Sequence, residues 1–119
     1  MKLSALVTYA KDNVDKATIG FTLANAALDA GHSLKVVLAS EGIWLAKTGY
    51  ADPIDNGPPF KPLKELIDGV LTRGGEINVC APCMKKRNLE EKDMIKNVLF
   101  ITGPDVISIL HETDKSIQL

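Results

Sequence analysis

Two short runs constrain this chain most, Leu3 to Thr8 (LSALVT) and Leu34 to Ala39 (LKVVLA). Each is almost continuously apolar, too short for a helix and without polar alternation. That is the pattern of a parallel strand covered on both faces. Helical spacing lies between them: the sequence predicts a helix over Lys16 to Ala30, capped by Asp15 and ended by Gly31, with Ile19, Leu23, Ala26, Ala27 and Ala30 on its apolar face. Pro62 then starts a helix from Leu63 to Thr72 that presents Leu63, Leu66, Ile67 and Val70, and Gly74-Gly75 ends it. Glu76 to Val79 and Val98 to Ile101 read as further strands, Gly103-Pro104-Asp105 as the start of a helix to about Glu112, and Ser116 to Leu119 as a last edge strand. Strands that alternate with helices predict one three-layer α/β sandwich over residues 1–119, with about five mostly parallel strands.

Composition narrows the function classes. A net charge of −1 implies no basic surface, so nucleic acid is not an expected partner. No apolar run is long enough to span a bilayer, so no membrane is expected either. The chain turns polar at Tyr9-Ala10-Lys11-Asp12, directly after its first strand, without the small-residue region of a signal peptide. A reducing, cytoplasmic setting is the expectation, and there a C-x-x-C pair points to redox, sulfur-transfer or metal chemistry more than to a permanent bridge.

Such a pair is present. Both cysteines fall in Ile77-Asn78-Val79-Cys80-Ala81-Pro82-Cys83-Met84-Lys85-Lys86-Arg87. The strand-type run feeds into Cys80 at a helix N-cap, Pro82 suits the first turn, and Cys83 follows one turn on. Free N–H groups and the helix dipole would favour thiolate there, and the Lys85-Lys86-Arg87 run adds positive charge, so a Cys80 pKa below that of a model thiol is predicted. Plainer readings stand beside this one. A cysteine is often a small buried hydrophobe, a chain of this length need not be stapled by a disulfide, and Lys-Lys-Arg is most often a solvated helix face. Structural zinc needs about four ligands. Neither His32 nor His111 has ligand spacing to the cysteines, so no metal and no cofactor is expected.

A site wall is expected beyond the carboxyl end of the second strand, where open α/β sheets bind ligands: Ser40, Glu41, Gly42 and Trp44, with Ala81 and Lys85 from the cysteine helix. Trp44, the only Trp, reads more readily as a core or subunit-interface aromatic than as part of that wall. Gly49 to Pro62 reads as a loop, Asn88 as a left-handed helix end and Glu90 to Met94 as a short capped turn. Asp12, Asp15, Glu41 and Asp55 are candidate acids or bases without a diagnostic spacing.

These residues carry a resemblance. VVLASEGIWLAKTGY, GGEINVCAPCMKKRNL and ITGPDVISIL resemble the DsrE/DsrF-like sulfur-relay proteins, the group that includes the TusBCD components, over nearly the whole chain. The sharpest segment is INVCAPCMKKRNL, where the family's sulfur-carrying cysteine falls on Cys80. Cys83 is an addition to the basic pattern, and Asn88 stands where the family usually has Gly. The resemblance implies a sulfur carrier or sulfurtransferase that holds sulfane sulfur as a persulfide on Cys80, with Cys83 as a resolving thiol. It implies a TusA-like protein or small persulfide as donor, an acceptor thiol, and a homotrimer or homohexamer whose interface the apolar stretch around Ile43 and Trp44 suits. Rival readings are a dithiol–disulfide oxidoreductase and a non-catalytic metal- or redox-sensing assembly subunit. Thioredoxin-type proteins place the motif after an early strand, whereas here it comes late.

Overall fold

A computed structural model describes residues 1–119. Its strands are β1 (Lys2–Val7), β2 (Ser33–Leu38), β3 (Glu76–Cys80), β4 (Leu99–Ile101) and β5 (Lys115–Gln118). Its helices are α1 (Val14–Asp29), α2 (Leu63–Thr72), α3 (Ala81–Lys86) and α4 (Gly103–Glu112). The five strands form one sheet in the order β4-β3-β2-β1-β5, and every pairing is parallel.

Alternation along the strands divides the two faces. Ala5, Val7, Leu34, Val36, Leu38, Ile77 and Val79 point into the main core of 24 buried residues, with Phe21 of α1, Leu63 and Ile67 of α2 and Met84 of α3. Val37, between Val36 and Leu38, joins Ile101 and Ile109 of α4 in a smaller cluster on the opposite face. The chain therefore steps from β1 to β4 over one side, and α4 returns across the other to set β5 beside β1. In this parallel sheet the chain leaves β1, β2 and β3 at the same edge, and the candidate site is built there.

The α2 boundaries and buried face are those predicted, with Leu63, Leu66, Ile67 and Val70 inside. The α1 expectation is corrected twice. Its N-cap is Asn13, whose side chain accepts the Lys16 N–H at 3.0 Å, and not Asp15. Its buried face is Ala17, Thr18, Gly20, Phe21, Ala24 and Ala27, whereas Leu23, Ala26 and Ala30 are exposed. Two apolar stripes coexist on this helix. The stripe with the bulkiest ring flanked by alanines buries more apolar area while letting the helix approach the sheet closely, so it faces inward.

After β2 the chain forms a 3-10 segment, Ser40–Ala46. Gly42 makes that approach possible: a Cβ there would collide with the Val7 carbonyl oxygen and lie 2.9 Å from its carbon. Ile43 and Leu45 are then driven into the core. Ile43 is fully buried within its own chain, whereas Trp44 beside it stays half-buried. Asn88 is left-handed (φ 57°), and Glu90 and Asp93 cap the short turn as predicted.

Candidate functional site

Cys80 ends β3 and is at once the N-cap of α3. Its sulfur accepts the Cys83 N–H at 3.4 Å, a serine-like capping role played by a thiol. Pro82 sits within the first turn, where its missing N–H leaves no gap in the helix. Cys83, one turn on, receives a donor from another element: the Ser40 N–H lies 3.3 Å from its sulfur. Ser40 can direct that N–H because its φ is +51°, a left-handed conformation uncommon for a residue with a Cβ. Both cysteines are free and half-buried.

Around this pair the 3-10 segment packs against α3. The Glu41 carboxylate accepts from Arg87 Nε at 2.6 Å and, on the same oxygen, from Trp44 Nε1 at 3.3 Å. Arg87 Nη1 also donates to the Cys83 carbonyl oxygen at 3.1 Å. Trp44 is half-buried and stacks on Tyr50 at 5.8 Å between ring centroids. Lys11 lies over the Tyr50 ring at 4.5 Å, and its N–H donates to the Tyr50 hydroxyl at 3.1 Å. Burial is the main reason the Tyr50 hydroxyl pKa is raised.

The predicted wall residues thus divide. Ser40 and Glu41 reach the cysteine helix directly, Gly42 provides the close approach, and Trp44 acts through Glu41. Ala81 and Lys85 instead line a shallow open depression of about 480 Å³ with Met84, Leu89 and Glu90. Sequence reasoning treated Arg87 only as one of a run of charges and missed Tyr50 altogether. Its +4 spacing from Cys83 was the available signal for Arg87; for Tyr50 there was none. A separate hollow of about 480 Å³ between α1 and α2, lined by Asn25, Asp29, Phe60, Leu66, Gly69 and Arg73, contains neither cysteine.

The low Cys80 pKa expected from the helix N-terminus is corrected. Burial of the sulfur is the largest effect and pushes the thiol pKa up. A side-chain hydrogen bond with Cys83 adds to the rise, while the Cys83 N–H and the Arg87 charge oppose it. α3 spans only six residues and its donor contact is long, so the helix end does not outweigh desolvation.

The histidines lie elsewhere. His32 precedes β2 and its Nδ1 meets the Met1 amino group at 3.0 Å, while His111 is exposed late in α4, before β5. Both are at the amino edge of the sheet, opposite Cys80. Asp12 holds the Ala10 N–H, Asp15 accepts from Asn56, and Asp55 holds the Gly57 N–H, all in local turns or between neighbouring loops. No three His, Cys, Asp or Glu side chains converge in a metal-ligating cluster. No helix is long and apolar enough to cross a membrane.

A five-stranded parallel sheet with a strand–cysteine–helix junction at its carboxyl edge defines a class of α/β proteins. Within it, this chain belongs to the DsrE/DsrF-like family, whose model matches residues 1–119. An uncharacterized protein of Methanopyrus kandleri is 30% identical over 97% of this chain and 91% of its own length. A second, from Methanocaldococcus jannaschii, is 29% identical over 96% of both chains. Among solved structures, the ychN protein of E. coli superposes with a TM-score of 0.83 at 14% identity, covering 100% of this chain and 99% of its own. A protein of unknown function from Methanobacterium thermoautotrophicum follows with a TM-score of 0.67 at 10% identity, covering 98% of this chain and 96% of its own. At these identities the structural likeness concerns the fold.

Proposed function

We propose that this protein is a sulfur carrier or sulfurtransferase that holds sulfane sulfur on Cys80. The observation that carries the reading is the provision of one backbone N–H to each of two free sulfurs at the carboxyl edge of the sheet. Family membership supports the same chemistry.

The Cys80 thiolate attacks the outer sulfur of a donor persulfide, R–S–S⁻. The new Cys80 S–S bond forms as the donor S–S bond breaks, and R–S⁻ leaves and takes up a proton. An acceptor thiolate then attacks the terminal sulfur and restores Cys80. If Cys83 attacks the inner sulfur instead, a Cys80–Cys83 disulfide forms and hydrosulfide leaves, so the sulfane sulfur is reduced as the pair is oxidised. An external dithiol resets the site. The raised Cys80 pKa limits the thiolate fraction at neutral pH but increases the nucleophilicity of what is present. The donor is a TusA-like protein or a small persulfide.

The test is intact-mass spectrometry after exposure to a small persulfide. Wild type gains mass in sulfur increments, Cys80→Ser gains none, and Cys83→Ser loads and keeps its sulfur longer. Sulfur retained by Cys80→Ser overturns the reading. The Cys80–Cys83 hydrogen bonding favours a second reading, a dithiol–disulfide oxidoreductase, under which wild type forms a disulfide without keeping sulfur and both single variants lose activity.

The proposal extends to a trimer or hexamer. It is supported by large apolar side chains left in solvent on the α4 and β4 side: Leu99, Ile107 and Leu110 are 50%, 65% and 37% exposed. Light scattering at micromolar concentration reads the assembly, and a monodisperse monomer refutes it.

A further inference from the structure

We propose that Arg87 is the positioning residue of this site, fixing the cysteine helix against the Ser40–Ala46 segment by joining the Cys83 carbonyl to Glu41; this rests on the reading of Cys80 as sulfur carrier.

The geometry begins with a helix that stops early. In a longer α-helix the Cys83 carbonyl would take the Arg87 backbone N–H. α3 ends at Lys86, and that N–H turns to the Met84 carbonyl at 2.9 Å instead. The guanidinium of the same residue returns to the Cys83 carbonyl at 3.1 Å and supplies a donor there. Its Nε meets Glu41 at 2.6 Å, so one planar fork joins the backbone of the second cysteine to the segment that presents the Ser40 N–H.

The pair is not an ordinary surface ion pair. The Arg87 side chain is only 18% exposed, while Lys85 and Lys86 beside it are in solvent. Glu41 spends the same oxygen on Trp44 Nε1, which fixes the orientation of its carboxylate. The charged and titratable groups around Cys80 are then Cys83 from its own helix, Arg87 from the helix end, and Glu41 through Arg87. Burial and the Cys83 side chain raise the Cys80 pKa, and the Cys83 N–H and Arg87 act in the opposite direction. A sulfur anion held on Cys80 would meet the same cation.

The experiment measures the pH dependence of Cys80 alkylation in a Cys83→Ser background, together with the lifetime of the sulfur adduct and thermal stability. Arg87→Gln is expected to move the alkylation midpoint to higher pH, leaving roughly two- to fivefold less thiolate near neutral pH, and to shorten the adduct lifetime. Glu41→Gln is expected to move the midpoint the other way. Arg87→Lys, which keeps charge without the fork, falls between wild type and Arg87→Gln. Lys86→Ala, at an exposed position, leaves the midpoint in place. A midpoint unchanged in Arg87→Gln, with only stability altered, overturns the proposal by making Arg87 a helix cap and nothing more. If Arg87→Gln does not fold, a wild-type midpoint and lifetime in Arg87→Lys overturn it equally, because the fork is gone there too. A wild type that takes up no sulfur, while its variants still shift the midpoint, removes the sulfur-carrier reading and leaves the positioning role standing.

Discussion

The Ser40 N–H lies 3.3 Å from the Cys83 sulfur, although 43 residues separate the two in the chain. The contact depends on two backbone facts. Ser40 is left-handed at φ +51°, and the next residue but one, Gly42, lies too close to β1 to carry a side chain. The second cysteine is thus served by a neighbouring loop, while the first is served by its own helix.

Gly42→Ala is expected to be costly. Its Cβ would overlap the Val7 carbonyl, so the 3-10 segment must retreat, at about 1–3 kcal/mol as for other overpacked sites. The retreat also withdraws the Ser40 N–H, so Cys83 alkylation kinetics change along with the melting temperature. Unchanged kinetics in a destabilised variant would separate the contact from the close approach.

Phe21 and Leu23 form a paired test of how α1 faces the core. Phe21 is fully buried, so Phe21→Ala is expected to cost about 3–5 kcal/mol. Leu23 is 40% exposed, and Leu23→Ala is expected to fall within about 0.5 kcal/mol of wild type. Urea unfolding reads both, and a reversed order would restore the face that spacing alone predicts.

Asn13→Ala removes the side-chain acceptor of the Lys16 N–H and is expected to cost about 1 kcal/mol in the same assay. Asp15→Asn, with no capping contact to lose, is expected to cost clearly less than that.

Cys80 has a sign-definite pH dependence. Its folded pKa is raised, chiefly by burial, so the folded state prefers the thiol. As pH climbs past the unfolded thiol value of about 8.5, the unfolded chain ionises first and gains. The stability contribution is therefore complete below that value and is lost as pH rises through the folded pKa. Denaturation across the alkaline range should show a fall that is weaker in Cys80→Ala; an equal fall in both would assign it to other groups.

The sequence by itself determined much of the fold. LSALVT and LKVVLA leave no water-facing side, so they became central parallel strands, and the Leu63, Leu66, Ile67 and Val70 stripe specified α2 without competition. The C-x-x-C junction was equally legible, because a strand, a cap and a Pro at the second helical position are local features. Tertiary structure decided what local pattern left degenerate. Two stripes on α1 satisfy the same period, and only packing on the sheet and α2 selected Phe21 over Leu23. The Cys80 pKa follows the same rule. Helix position argued for depression, but the sulfur's burial and its Cys83 neighbour raise it, and desolvation is a property of what surrounds a group in space. Ser40, Glu41 and Arg87 meet for that reason as well: adjacent parallel strands deliver their carboxyl ends to one edge, and there residues more than forty positions apart become hydrogen-bond partners.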